Sequence, residues 1–255
     1  ITALSGADIT ALSSAQVSGL TTAEVNALSS SQLNALSTGQ VRTLSTAQID
    51  AIGTTTLQGM GTTGIAALSA TQAAGLTTNQ VKSLTTTQIA AVTSTQVAGI
   101  TTSQIGALSS DQLRSVSATA ISGLQTAIVA GLSSDQLGVL MTSQISGLST
   151  SQLNAVGISI IPSVSTDDVA VLTTAQIKGL GTAQIAALTT AQLAALKPAQ
   201  FSSLSVSQLG GISASKLSSV QTADIAALTS SQAAGLSTDQ LSGLQTGQVA
   251  ALTTG

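Results

Sequence analysis

The feature that most constrains this chain is an eight-residue pattern that continues from one end to the other without insertion or deletion. We write the unit, here called an octad, as L-[ST]-[ST]-x-Q-[ILV]-x-[AG] and number its positions one to eight. Position one falls at Leu4 and at every eighth residue to Leu252, and all 32 of these residues are Leu, Ile, Val or Met. Position six is aliphatic or Phe everywhere except Ala73 and Ala233. Because loops tolerate changes in length, the constant register indicates that every residue of the octad has a fixed structural place.

Neither a continuous helix nor a plain strand accounts for this spacing. The aliphatic positions alternate between separations of five and three residues. At 3.6 residues per turn the apolar stripe of a helix would drift by about 80° per octad. In a strand a separation of five places the second aliphatic on the opposite face. The backbone must therefore turn within each octad.

Positions two to five read Ser/Thr-x-x-Gln, which is typical of a helix capping box. The flanking aliphatics at positions one and six form the matching hydrophobic staple. Acidic residues concentrate at positions four and five, where the first helical turn favours negative charge, and the residues Arg42, Lys82, Arg114 and Lys178 occupy position seven. Pro198 falls at the first helical position, where proline is tolerated. We therefore predict one helix of roughly one and a half turns per octad.

Helices this short are unstable alone and must stack on neighbouring octads, so the predicted fold is an all-α solenoid. Position eight is Ala about as often as Gly, which favours a need for small side chains at a close backbone approach over a left-handed C-cap. The simplest arrangement places two octads in each layer, and three octads per turn remain open. A β-solenoid is the alternative fold, given the Thr, Val and Ile content.

Residues 1–255 are predicted to form a single continuous array of about 31 octads, and we expect it to be an excerpt of a longer chain because it starts and stops within a repeat. Two stretches are irregular, near 53–64 and 157–164. In the second, Ile160 replaces Gln and Pro162 falls inside the predicted helix. Together with Ile158 these residues are the candidate self-association contact. The alternative interpretation is tolerated sequence drift.

Composition excludes several classes of function. The chain has no His, no Cys and a single aromatic residue, and only 6% of its residues are charged. We expect no metal site, no cofactor and no nucleic-acid partner. No apolar run approaches the length of a transmembrane helix, so no membrane span is expected. Serine is abundant, but no His is present to activate it, so we expect no catalytic residues and no enzyme activity. The adjacent acids Asp167 and Asp168 lack calcium-loop spacing and are interpreted as residues of a helix start.

The octad LTTAQLAA at residues 188–195 resembles octapeptide tracts of very large bacterial cell-surface and adhesin-like proteins, and the resemblance covers essentially the whole chain. It implies an extracellular or cell-surface location and a structural or adhesive role. It implies no catalytic or binding residues.

Two functional hypotheses follow. In the first, the chain is an extracellular structural protein that forms a rod, stalk or filament through end-to-end or lateral self-association. In the second, it is a surface-binding module. Thr and Ser at position three would then form a regular face for a glycan, a mineral or ice.

Overall fold

The computed structural model describes residues 1–252, and it is helical throughout this range. Nearly every octad forms one helix, which begins at position three and spans four to seven residues. No strand occurs within residues 1–252, so the all-α prediction is confirmed and the β-solenoid alternative is wrong for this part of the chain.

The chain divides into two compact units, Ile1–Ile128 and Val129–Gly255. The helices of the first unit are α1 (Gly6–Ala11), α2 (Ser14–Ser18), α3 (Thr22–Asn26), α4 (Ser30–Ala35), α5 (Thr38–Thr43), α6 (Thr46–Asp50), α7 (Thr54–Gln58), α8 (Thr62–Ala67), α9 (Ala70–Ala74), α10 (Thr78–Ser83), α11 (Thr86–Ala90), α12 (Ser94–Val97), α13 (Thr102–Ala107), α14 (Ser110–Ser115) and α15 (Ala118–Ile121). Helix α16 (Thr126–Ala130) includes the boundary between the units.

The second unit contains one 3-10 helix and fourteen α-helices within its described residues. They are α17 (Ser134–Gly138), α18 (Thr142–Ser146), α19 (Thr150–Ala155), the 3-10 helix η1 (Ile158–Ser163), α20 (Thr166–Ala170), α21 (Thr174–Gly179), α22 (Thr182–Ala187), α23 (Thr190–Ala194), α24 (Pro198–Phe201), α25 (Val206–Gly210), α26 (Ala214–Leu217), α27 (Thr222–Ala226), α28 (Ser230–Ala234), α29 (Thr238–Gly243) and α30 (Thr246–Leu252).

Within each unit the helices stack in three rows. Helix α1 packs on α4 and α2 packs on α5 in the first unit, and α24 packs on α27 in the second. Helices in contact are thus three apart in chain order, so each unit is an α-solenoid with three octads per turn. The expected layer of two octads is wrong, because the octad pattern specifies each helix but not the angle between consecutive helices.

The core consists of the aliphatic side chains at positions one and six. Ile177, Ile185 and Leu193 at position six are fully buried, and Leu188 at position one is nearly so. Phe201, the only aromatic residue, replaces an aliphatic at position six and is also fully buried. The spacing of five and three residues therefore brings both apolar positions of most short helices to the interior of their own unit, whereas Leu241 and Val249 at position six stay exposed.

The helices begin with the predicted capping box. Their last turns are closed by a backbone hydrogen bond and not by a left-handed cap. In α11 the Thr85 hydroxyl accepts the Gln88 backbone N–H at 3.2 Å, and the Gln88 side chain accepts the Thr85 backbone N–H at 2.8 Å. At the end of α10 the Leu84 N–H donates to the Val81 carbonyl at 3.2 Å, which tightens the last turn. No residue in the described chain has a positive φ, so left-handed C-caps are not used there.

Glycine at position eight permits close contact between turns. A Cβ added at Gly123 would collide with the backbone of Ser94, and one added at Gly99 would lie 2.9 Å from the Ala70 carbonyl oxygen. The opposing residue occupies position three of an octad in the preceding turn in both cases. This confirms that position eight is kept small for packing and not for backbone conformation.

The irregular octads keep the register. Gly53 and Gly61 replace the capping hydroxyl, yet α7 and α8 still form. At residues 157–164 the helix is of the 3-10 type, with Ile160 N–H donating to the Gly157 carbonyl at 2.9 Å. Pro162 has no N–H to donate to the carbonyl four residues earlier, which disfavours the α-helical form here.

We expect Gly123→Ala to lower the free energy of unfolding by about 1–3 kcal/mol, because the added methyl group overpacks the backbone of the preceding turn. Gly106 is the matched control, since it lies in helix α13 of the same unit and a Cβ there would meet no atom within 4 Å. Gly106→Ala should raise stability by up to about 1 kcal/mol through helix propensity. Urea unfolding followed by circular dichroism measures both changes. Equal effects of the two substitutions would contradict the packing role.

Candidate functional site

The most elaborate polar arrangement in the molecule surrounds the glutamine at position five, and Gln88 is a representative case. Its Oε1 accepts the Thr85 backbone N–H at the start of its own helix. Its Nε2 donates to the Leu57 carbonyl at 2.8 Å and to the Met60 carbonyl at 2.7 Å, which lie at the end of a helix in the preceding turn. The side chain is buried. One amide thus joins the start of one helix to the end of another, and we call this arrangement the glutamine clamp.

The clamp recurs in both units with constant separations along the chain. Gln80 donates to Ile49 and Ile52 at 2.8 and 2.9 Å in the first unit. Gln208 donates to Ile177 and Leu180 at 3.1 and 2.7 Å in the second. The acceptors lie 31 and 28 residues before each glutamine. Helix ends leave backbone N–H and C=O groups without partners, and the clamp satisfies groups of both kinds.

The capping role predicted for this glutamine is confirmed. The capping box alone does not predict the donation of its Nε2 to the preceding turn. The residue types at position five nevertheless indicate this second role. Glutamate serves a capping box as well as glutamine, yet Glu24 is the only glutamate in the chain. Only the amide provides donors in addition to an acceptor, so the preference for Gln indicates a second partner.

Lysine replaces the donor half of the clamp at one octad. The Lys216 ammonium donates to the Ala186 carbonyl at 2.6 Å and to the Leu188 carbonyl at 2.7 Å. Lysine has no acceptor, so it cannot complete the capping box, and Ser213 at the start of this helix makes no side-chain cap bond. The carbonyls at the end of a helix can therefore accept an ammonium group in place of the glutamine amide.

Acidic residues at position five keep the acceptor half instead. The Ser5 hydroxyl and backbone N–H donate to the exposed Asp8 carboxylate and lower its pKa below the usual value. The Thr21 backbone N–H and hydroxyl lower the pKa of Glu24 in the same way. Asp168 is buried and accepts the Ser165 hydroxyl at 2.6 Å. The interpretation of Asp168 as a residue of a helix start is confirmed.

A second link between turns appears where glycine replaces the capping hydroxyl. The Asn34 side chain accepts the Gly61 N–H and donates to the Gly59 carbonyl. Asn154 accepts the Gly181 N–H at 3.0 Å. In both pairs the asparagine stands at position seven, 27 residues before a glycine at position two. The asparagine thus provides an acceptor from the preceding turn for the cap N–H, alone at Gly61 and together with Gln184 Oε1 of the same helix at Gly181.

The predicted self-association residues lie on the 3-10 helix η1 of the second unit. Ile158 is 51% exposed and Pro162 is also exposed, whereas Ile160 is partly buried at the position of the clamp. Ile160 has no donor for the carbonyls of Val129 and Leu132, which occupy the sequence positions of the clamp acceptors for this octad. The surface role of Ile158, Ile160 and Pro162 stays a prediction.

The described residues contain no group of three or more acidic side chains placed to hold a metal ion. A cavity of about 70 Å³ lies in the first unit beside Ala73, where the usual large aliphatic at position six is missing. Its walls are almost entirely apolar. The cavity is a packing void in the core, and it offers little polar chemistry for orienting a ligand.

Within residues 1–252 no helix has the length and apolar character needed to cross a bilayer.

Comparison with known proteins gives one family. The model described as the ALTTAQ repeat matches four segments that together cover more than half of the chain, and these are residues 1–38, 49–86, 161–198 and 217–254. Every match begins at position six of an octad, which agrees with the register defined above. No curated protein matches the chain.

We expect Gln88→Ala to lower the free energy of unfolding by at least about 2 kcal/mol, because it removes a donor from the Leu57 and Met60 carbonyls and the side-chain acceptor of the Thr85 N–H. Gln58 is the matched control, because its side chain is exposed at position seven of helix α7. Gln58→Ala should change stability by less than about 0.5 kcal/mol. Urea unfolding of both variants tests the clamp, and similar losses would argue against it.

We expect Asn34→Ala to destabilise the chain by about 1 kcal/mol, because the Gly61 N–H loses its only side-chain acceptor. The same change in a Gly64→Gln background should cost much less, since a glutamine at position five offers its Oε1 to the Gly61 N–H from within the same helix. A double-mutant cycle from urea unfolding measures this coupling. Additive effects of the two substitutions would contradict capping between turns.

Proposed function

The chain belongs to the ALTTAQ repeat family, and we propose that it is an extracellular structural protein that forms a rod, stalk or filament by self-association of its octads. The observation that carries the proposal is the glutamine clamp. Successive turns of each unit are joined by the same buried hydrogen bonds and the same close approach at position eight. Stability in such an array comes from contacts between neighbouring turns, so the repeat supports length and regular spacing.

The placement of the buried polar groups supports a structural role over an enzymatic one. The polar side chains buried in the described residues are the glutamines of the clamp and the acids Asp168 and Asp224 at the same position. The glutamines and Asp168 hydrogen-bond to helix ends and do not form a polar pocket. An extracellular location at a bacterial surface is supported by the resemblance of the octads to adhesin-like tracts.

Self-association is proposed to use the exposed part of helix η1. Ile158 stands at position three, where most octads have Ser or Thr, so its exposed side chain adds apolar surface next to Pro162. Few charges oppose lateral association, because the chain carries only six basic and nine acidic residues. Contact between two copies would remove this apolar surface from water.

Sedimentation velocity over a range of concentrations, with electron microscopy of the same samples, tests this proposal. We expect the chain to form assemblies and Ile158→Glu to shift the population to monomers by at least tenfold in apparent dissociation constant. Val206→Glu is the matched control, since Val206 is also at position three and is 43% exposed. Monomers at all concentrations would refute self-association, and equal effects of both variants would exclude the η1 contact.

A second candidate function is supported by an exposed row of hydroxyls in the first unit. At position three, five residues of one row are all exposed and follow each other at intervals of three octads; they are Ser14, Thr38, Thr62, Thr86 and Ser110. Stacked helices lie about 8–10 Å apart, so these hydroxyls repeat at that spacing. A regular array of this kind suits a glycan, a mineral surface or ice.

Replacing Thr38, Thr62 and Thr86 by Lys tests the binding hypothesis. Adsorption to a glycan array, a mineral surface or ice should fall at least tenfold while the circular dichroism spectrum stays unchanged. The control is a set of three exposed residues at position seven, which lie outside this row: Asn26, Gln58 and Ala90. Lysine substitutions there should have little effect. Unchanged adsorption of the Thr38, Thr62 and Thr86 variant would refute this function.

A further inference from the structure

Asp224 is the one clamp-position residue of the described chain whose buried side-chain oxygens have no hydrogen-bond partner. Its side chain is only 1% exposed, and both carboxyl oxygens lack a donor. The cap residue of its helix α27 is Gln221, which makes no side-chain cap bond and donates instead to the Ala194 carbonyl at 2.9 Å. Asp168 at the same position has a serine hydroxyl as donor, and Asp224 has none.

The helices on either side of α27 in its row have complete clamps. In α24, one turn earlier, Gln200 donates to the Val169 and Leu172 carbonyls at 3.1 and 2.6 Å. In α30, one turn later, Gln248 donates to the Leu217 and Val220 carbonyls at 3.2 and 2.6 Å. The same register places the carbonyls of Leu193 and Leu196 before Asp224. A carboxylate at this position would be almost closed to water and would have no hydrogen-bond donor on either oxygen.

Few charged groups are near enough to compensate for a negative charge at this site. Helices α24 and α30, which pack against α27, contain no titratable residue. Lys197, the cap residue of α24, is exposed. Lys216 in the neighbouring helix α26 already donates to the carbonyls of Ala186 and Leu188. No charge within these elements offsets an ionised Asp224.

We infer that Asp224 is held as the neutral carboxylic acid and that its O–H donates to a carbonyl of the preceding turn, Leu193 or Leu196, so that ionisation of this side chain loosens the second unit. The proton comes from solvent and returns to it when the carboxyl group ionises. The acid then replaces the donor half of the clamp, as Lys216 does in its own octad. The array thus contains one turn that is tighter in acid than at neutral pH.

The direction of the pH dependence follows from burial. Desolvation raises the pKa of Asp224 above its ordinary value of 3.8, although the nearby Gln221 N–H partly opposes this. Well below that ordinary value the carboxyl group is neutral in both folded and unfolded chains, so its contribution to stability is fully present. As pH rises further the unfolded chain ionises first, and stability falls until the pH passes the folded-state pKa.

The test compares the full chain with its Asp224→Asn variant in urea unfolding at successive pH values. We compare the equilibrium constants for unfolding of the two proteins and divide that of the parent by that of the variant. This ratio should rise by up to about tenfold per pH unit above about pH 4 and then level off. The contributions of Asp8 and Glu24 cancel in this ratio because both proteins contain them. A ratio that stays constant with pH would overturn the inference.

Three further measurements keep the outcome specific to this site. The ¹³C resonance of the Asp224 carboxyl group should titrate above the ordinary aspartate value of 3.8, and titration at that value would refute the neutral acid. Asp224→Gln should restore the complete clamp and stabilise the chain at neutral pH. Asp168→Asn is the matched control, because Asp168 is buried at the same position but accepts the Ser165 hydroxyl, and this variant should keep the pH dependence that Asp224 gives.

Discussion

Satisfying the ends of helices is the constraint on which the rest of this structure depends. An α-helix leaves its first four N–H groups and its last four carbonyls without internal partners. Helices of four to seven residues therefore consist almost entirely of ends. The octad places a hydroxyl and an amide at the start of each helix, and the amide continues to the end of a helix one turn earlier. Local helix formation and stacking between turns thus depend on the same side chain.

The ends can be satisfied in more than one way, which explains how the array accommodates irregular octads. An ammonium replaces the amide donor at Lys216, and an asparagine from the preceding turn accepts the Gly61 N–H, for which Gly64 at position five has no side-chain acceptor. At Gln221 the cap side chain donates to the Ala194 carbonyl at 2.9 Å instead of capping its own helix. Each of these substitutions keeps part of the same set of backbone groups in contact with a side-chain partner.

Much of the fold could be predicted from the sequence, because its determinants lie within eight residues. The capping box, the staple at positions one and six and the small residue at position eight each define one local contact, and all are present in the structure. The three-row stacking, the second role of the glutamine and the Asn34–Gly61 link connect residues that lie a full turn or more apart in the chain. A pattern repeated in every octad contains no information about which distant octad is the partner. The self-association contact at Ile158, Ile160 and Pro162 stays a prediction for the related reason that a surface reveals no partner.

A turn of three octads has a consequence for how such an array can change in length. Deleting three consecutive octads removes one whole turn and leaves each remaining helix in its original row. Deleting a single octad keeps the local pattern intact but moves every later helix to the next row. A pair such as Asn154 and Gly181 stays matched if the deleted octad lies outside the segment between its two residues. A pair on opposite sides of the deletion is separated. Gene duplications and losses should therefore be tolerated most readily in whole turns wherever irregular residues are paired across them.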